Sequence, residues 1–328
     1  MAGMPDRYGR GLSCGWQAFG VLTTFIAISS LAPIALEGQA QTWRLPHTIW
    51  GDPDLEGTWN FANMTPLERP KELAGKDVLT EQEAAAFEEQ TLKERIATLS
   101  TADREWWDSG SKVMKARRTS LITDPADGRL PPLTPEARQR AAARAESRRG
   151  RGPADSWEDR SLQERCIWFG SAGPPMLPGP YNNNVQLLQT PDHVAIVNEM
   201  IHDVRIVPMN GQPRVGQQIH RWMGDARGHW EGNTLVIETV NFTDERNFRG
   251  AGENLQLVER FTRVDRDTID YQFTVTDPKT WARPWTAEFP LTRSQESLYE
   301  YACHEGNYES MIGTLKGARV EEAAAEPK

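Results

Sequence analysis

The chain has 328 residues, a formal net charge of −9, twelve tryptophans and three cysteines. That length suits one large domain, or one domain with a substantial extension. The acidic balance excludes a general nucleic-acid binder, because phosphate contacts need a positive field.

Arg7 and Arg10 precede an apolar stretch from Val21 to Leu36, and the small residues Gly38 and Ala40 follow it. This is the pattern of a secretory signal peptide over residues 1–40, cleaved near Ala40. The alternative is an anchoring helix, but Ser29, Ser30 and Pro33 interrupt a run already shorter than the roughly 20 residues a span needs. Cys14 lies before the run, where a lipid anchor would not be attached. The expectation is a periplasmic or secreted protein without a stable membrane anchor after cleavage. Removing the segment takes away two arginines, Asp6 and Glu37, so the charge stays at −9. Cys166 and Cys303 then remain in an oxidising compartment, where a disulfide is the natural expectation and two buried free thiols the alternative.

Residues 41–152 read as a first strand followed by a helical extension. "PDLEGTWNF" (53–61) is strand-like. "LTEQEAAAFEEQTLKERIATL" opens with Thr80 and carries Glu83 three residues on, a capping box that predicts a helix over about 81–99. "TADREWWDSG" suggests a shorter helix, and "LTPEARQRAAARAESRRGRGP" a third, with Thr134 as cap and Pro135 at the first helical position. The arginines of this third helix suit either a solvated basic face or an anionic partner.

Residues 153–320 carry the strand signal, with 321–328 as a disordered tail. "HVAIVNEMIHDVRIV", "NTLVIETVNF", "NLQLVERFTRV", "DTIDYQFTV", "WARPWTAEF" and "SLYEYAC" are six strand-like runs, most of them bounded by turn residues. Another is expected around Val185 to Leu188. The links "EGN" and "DRD" are too short for parallel crossovers. About eight antiparallel strands suit a mainly β fold, a barrel or strongly bent sheet with an N-terminal helical segment.

Strand alternation sorts side chains into two columns. Ile269, Tyr271, Phe273 and Val275 fall in one apolar column. Leu255, Leu257 and Phe261 carry Glu259 with them, and Trp281, Trp285, Ala287 and Phe289 carry Arg283. Val194, Ile196, Met200, Val204 and Ile206 share a column with Asn198 and His202, leaving Arg205 outside; a bulge would reverse the assignment. For "SLYEYACHEGNY", either Glu300 and His304 or the two tyrosines and Glu305 face inward.

His202, Glu259 and Arg283 form the sharpest chemical hypothesis, an acid–base pair with an arginine to stabilise developing negative charge. A buried ion pair and a satisfied core histidine explain the same pattern. The ligand-lining candidates are Asn198, His202, Tyr271, Trp281, Arg283, Trp285 and His304. No HExxH, HxH or CxxC spacing supports a metal, no GxSxG a serine nucleophile, and no glycine-rich loop a nucleotide, so no cofactor is expected. "PYNNNVQ" reads as an asparagine turn, or as a loop at a barrel mouth.

The strings "PGPYNNNVQLLQTPDHV", "RGHWEGNTLVIETVNF", "RFTRVDRDTIDY" and "YEYACHEGNY" resemble a widespread group of uncharacterised exported bacterial proteins over nearly the whole mature chain. That resemblance brings no established activity. Gly57, Thr58 and Trp59 are similar to the Gly-x-Trp signature of lipocalin-like barrels, although about 100 residues of helix and loop separate them from Tyr181. The expected function is binding of a small apolar or amphipathic molecule in an internal cavity with a few polar orienting groups. The alternative is a metal-independent hydrolase, lyase or isomerase in the same cavity.

Overall fold

The computed structural model describes residues 43–100, 104, 108–209 and 211–325, without the side chain of His202. The signal-peptide segment and most of the short helix expected at 101–110 lie outside the described residues.

Ten strands form one sheet: β1 Gly57–Asn60, β2 Ile122–Asp124, β3 Asn184–Gln189, β4 His193–Asn198, β5 Val204–Pro208, β6 Asp225–Glu231, β7 Thr234–Val240, β8 Gln256–Arg263, β9 Thr268–Thr276 and β10 Trp285–Arg293. The order is β5-β4-β3-β1-β10-β9-β8-β7-β6, with β2 beside β10 at the end that β1 leaves free. Every pairing is antiparallel. Leaving β2 aside, each strand neighbours the next along the chain, and the last returns to the first. The result is a nearly closed nine-strand barrel.

An odd number of strands cannot alternate direction all the way round. Tracing the pairings brings β5 and β6 to the gap running the same way, and residues 209–224 carry the chain back to the starting end. Side chains fill this gap: Gly228 of β6 is so close to β5 that an added Cβ would lie 2.4 Å from Met209 Sδ and 3.1 Å from Val207 Cγ1.

The interior follows the alternation. Leu257, Glu259 and Phe261 of β8, Ile269, Tyr271, Phe273 and Val275 of β9, and Trp285, Ala287, Phe289 and Leu291 of β10 are all buried. Tyr271 packs against Phe261, Phe273 and Phe289 with ring centroids 4.8, 5.8 and 5.2 Å away.

Among the described residues three longer helices flank the barrel: α1 Glu81–Thr98, α2 Pro135–Ser147 and α3 Cys303–Ala325. The α1 capping box is present, with Thr80 accepting from the Glu83 amide and Glu83 from the Thr80 amide. Helix α2 starts at its Thr134 cap, and its arginines are engaged nearby: Arg138 donates to the Leu133 carbonyl at 2.6 Å, Arg140 to Thr280 Oγ1 at 2.9 Å, and Arg144 bonds Asn247, while Arg149, just past the helix, pairs with Glu146.

The C-terminal region departs from expectation. "SLYEYAC" is no strand; irregular chain leads into α3, whose first turn contains Glu305, Gly306 and Asn307 and whose last includes residues 321–325 of the expected tail. Cys303 forms a disulfide with Cys166, tying the start of α3 to the 162–168 segment. A strand not expected, β6, pairs with β7 from Glu231↔Thr234 to Asp225↔Val240, so "RGHWEGN" lies within a hairpin.

A buried arginine–glutamate–tyrosine cluster as candidate functional site

The polar centre of the barrel starts from Glu259, which alternation aims inward on β8 between Ile237 and Phe273 in register. Its side chain is 0 % exposed. Carboxylates in such surroundings must be paired, and Glu259 has two partners. Arg205 Nη1 donates to Oε2 at 2.5 Å and Nη2 to Oε1 at 3.0 Å, a bidentate fork. The Tyr271 hydroxyl donates to Oε1 at 2.6 Å and accepts from the Met176 amide at 3.1 Å.

Arg205 had been expected outside, with Val204 and Ile206 inside; the structure reverses all three. A short 3-10 turn, Met200–His202, separates β4 from β5, and Ile201 within it has φ 60°. This shifts the alternation by one position. Val204 and Ile206 are 50 % and 58 % exposed, whereas Arg205 and Val207 are buried. Burial works against the charge on Arg205, but the Glu259 carboxylate outweighs it and raises the guanidinium's pKa. Burial, then the charge of Glu259, pushes Tyr271 well above the usual phenol range, so it remains a hydrogen-bond donor.

Arg283 is therefore not the partner of Glu259. β10 begins only at Trp285, so the column reaching back to Trp281 does not extend to position 283. Arg283 stands half exposed and pairs with Asp124 at 2.6 Å. His304 is exposed in the first turn of α3 because the expected strand is a helix. His202 is placed by its backbone in the turn before β5, and its side chain lies outside the description. The His202, Glu259 and Arg283 triad is not assembled, since Arg283 is outside the barrel and both Glu259 oxygens are engaged.

The remaining candidates lie inside. Trp281 and Trp285 are buried in edge contact at 5.7 Å, and Trp285 also meets Phe273 at 5.6 Å. Asn198 is buried at the end of β4, and because Ile196 pairs with Arg205, it is diagonal to Arg205 on the inward face. Of the asparagine run, Asn182 and Asn183 are irregular chain and Asn184 opens β3. Asn183 bonds the Gly179 and Asp108 carbonyls, and Asn184 bonds Glu199 at 2.7 Å.

A second interior arginine had no expectation attached. Arg246 ends the short turn Asp244–Arg246 after β7 and is 2 % exposed. Its guanidinium lies over Phe242 at 4.6 Å, Trp168 at 4.8 Å and Phe248 at 5.8 Å, a cation–π enclosure. One nitrogen, Nη2, donates to the Pro174 carbonyl. Pro174 and Met176 thus connect Arg246 and Tyr271 through one short piece of chain. Burial, followed by the like charge of Arg205, pulls the Arg246 pKa down to about 9, and Glu259 only partly offsets this. The cluster thus sets two guanidinium side chains against one carboxyl side chain, which the Arg205 fork already occupies.

Several buried polar atoms here have no hydrogen-bond partner among the described residues: both amide atoms of Asn198, Nε of Arg205, Nε and Nη1 of Arg246, and Nε1 of Trp285. Each such atom costs about 1–3 kcal/mol relative to a satisfied one.

A separate cleft of about 430 Å3 lies on the outer surface, where residues 112–118 face Asn60, Asp270 and Glu288. The Arg118–Glu288 pair at 3.0 Å belongs to its wall.

Comparison of the chain with family models, curated proteins and solved structures found no match.

Proposed function

We propose that the protein is an exported binding barrel that holds a small, largely apolar molecule inside, with its polar end directed at the Asn198, Arg205, Glu259, Tyr271 and Arg246 cluster. The observation that carries this reading is the set of buried, unpartnered donors and acceptors within an otherwise aromatic interior. A ligand with a polar head restores those hydrogen bonds, while Trp285, Phe273 and Phe248 contact its apolar part. This is the usual division of labour in small-molecule sites, apolar walls with a few placed polar groups. Entry requires displacement of the 162–181 segment, through which Met176 and Pro174 contact the cluster.

Export is supported by the signal-peptide pattern, by the resemblance of the chain's strings to exported bacterial proteins, and by the disulfide, a bond characteristic of oxidising compartments. Among the described residues no helix is long and apolar enough to cross a membrane.

The test is native mass spectrometry of the protein from its own exported fraction, followed by denaturation and identification of released compounds. A retained small molecule is expected. A ligand-free mass, together with no uptake of apolar probes by the purified protein, would overturn the reading.

A further inference from the structure

We infer that the polar end of the ligand is a single carboxylate, received by Arg246 with the Nε of Arg205 and the Asn198 amide. This rests on the interior-binding reading above and adds the ligand's charge and headgroup class.

The first argument is charge balance. Arg205 and Glu259 neutralise each other through a two-bond fork, and Tyr271 is a neutral phenol. Arg246 remains as a positive charge with no carboxylate of its own, enclosed by Trp168, Phe242 and Phe248. A buried, unpaired charge is strongly unfavourable, and one negative charge brings the cluster to zero. A phosphate monoester, carrying nearly two, would overshoot.

The second argument is hydrogen-bonding capacity. Arg246 has one nitrogen engaged, by the Pro174 carbonyl, and two without partners among the described residues. Arg205 presents its Nε, since both terminal nitrogens are on Glu259. Asn198, diagonal to Arg205 on the same face, adds a donor and an acceptor. Donors outnumber acceptors among these atoms, and a carboxylate is an acceptor-only group whose planar geometry suits guanidinium donors. The charged groups facing Arg246 from the surrounding elements are Arg205 of β5 and Glu259 of β8, with the phenol of Tyr271 from β9. Trp168, Pro174, Phe242 and Phe248 add no charge.

The experiment is calorimetric titration of the protein with benzoate and with straight-chain alkanoates of increasing length, each paired with the alcohol of the same skeleton and with its phosphate monoester. The best-fitting carboxylate should bind about 10- to 100-fold more tightly than its alcohol, the range expected for charge-assisted hydrogen bonds in a buried site. In Arg246→Met that advantage should disappear while alcohol affinity is retained. Arg246→Lys, which keeps the charge, should preserve part of it and serves if the methionine variant does not fold. Equal binding of acid and alcohol overturns the carboxylate inference and leaves interior binding standing. Tighter binding of the phosphate overturns the choice of headgroup. Equal loss of acid and alcohol affinity in both variants makes Arg246 a structural residue and overturns its role. Binding of none of the probes overturns the interior-binding reading and this inference with it.

Discussion

At the scale of single residues, the interior arginines and the exposed one should behave oppositely. Truncating one partner of the Arg205–Glu259 fork leaves an uncompensated buried charge, so Arg205→Met and Glu259→Gln should each cost about 3–5 kcal/mol in urea denaturation. The double variant Arg205→Met with Glu259→Leu should recover most of that loss, because an apolar pair needs no compensation. Arg283→Ala removes an exposed pair with Asp124 and should change stability by about 0–1 kcal/mol. Arg246 also predicts a pH effect. Its folded-state pKa is depressed to about 9, so above that pH the folded protein releases a proton that the unfolded chain keeps to much higher pH. Stability then rises with pH in that window, by up to about 1.4 kcal/mol per unit. The urea midpoint of the native protein, compared with that of Arg246→Met, should shift in the native protein's favour between pH 8 and pH 10. Alternation alone made Glu259, Tyr271 and Trp285 legible as interior residues. It misplaced Arg205 because a three-residue turn and one left-handed residue, Ile201, are invisible to a period-two rule. Arg246 gave no periodic signal at all, since it sits in a turn and owes its burial to three aromatic rings from different parts of the chain.

At the scale of elements, strands whose inner column is apolar were readable, and those placed by their neighbours were not. β8, β9 and β10 carry clear columns. β6, "DARGHWE", has none, and it is a strand because β7 supplies its hydrogen bonds and because Gly228 allows β5 to approach. Gly228→Val should therefore cost about 1–3 kcal/mol through overpacking against Met209 and Val207. Hydrogen exchange would be expected to accelerate in β5 and β6 before it does in β8 and β9; uniform acceleration would count against a localised seam. "SLYEYAC" misled in the other direction: its alternation is real, but Cys303 is pinned by the disulfide and the residues after it are helical. Helix α1 was legible from its cap. The Glu83 carboxyl is held down at about 2 by Lys76 and the Thr80 hydrogen bonds. Its stabilising contribution is present above pH 4.5 and is lost as pH falls toward 2, so the helical signal of Glu83→Gln should lack that acid-dependent step.

At the scale of the whole molecule, the Cys166–Cys303 bond closes a loop spanning 137 positions. By the chain-entropy relation such a loop is worth about 5 kcal/mol as an upper figure. Thiol titration of the denatured, unreduced protein should find no free thiol at these two positions. Cys303→Ser should loosen α3, whose buried anchor is Cys303 itself, and raise hydrogen exchange over 303–325 while β8 to β10 stay protected. The meander order of the barrel was readable from short links, but its closure was not. β1 lies between β3 and β10, with Trp59 opposite both Val185 and Arg293. During synthesis the first strand emerges with both edges bare, acquires one neighbour only after more than a hundred further residues, and receives the other when the last strand appears. A chain closed so late folds slowly and keeps both edges of Gly57–Asn60 open to wrong pairing until the last strand is in place.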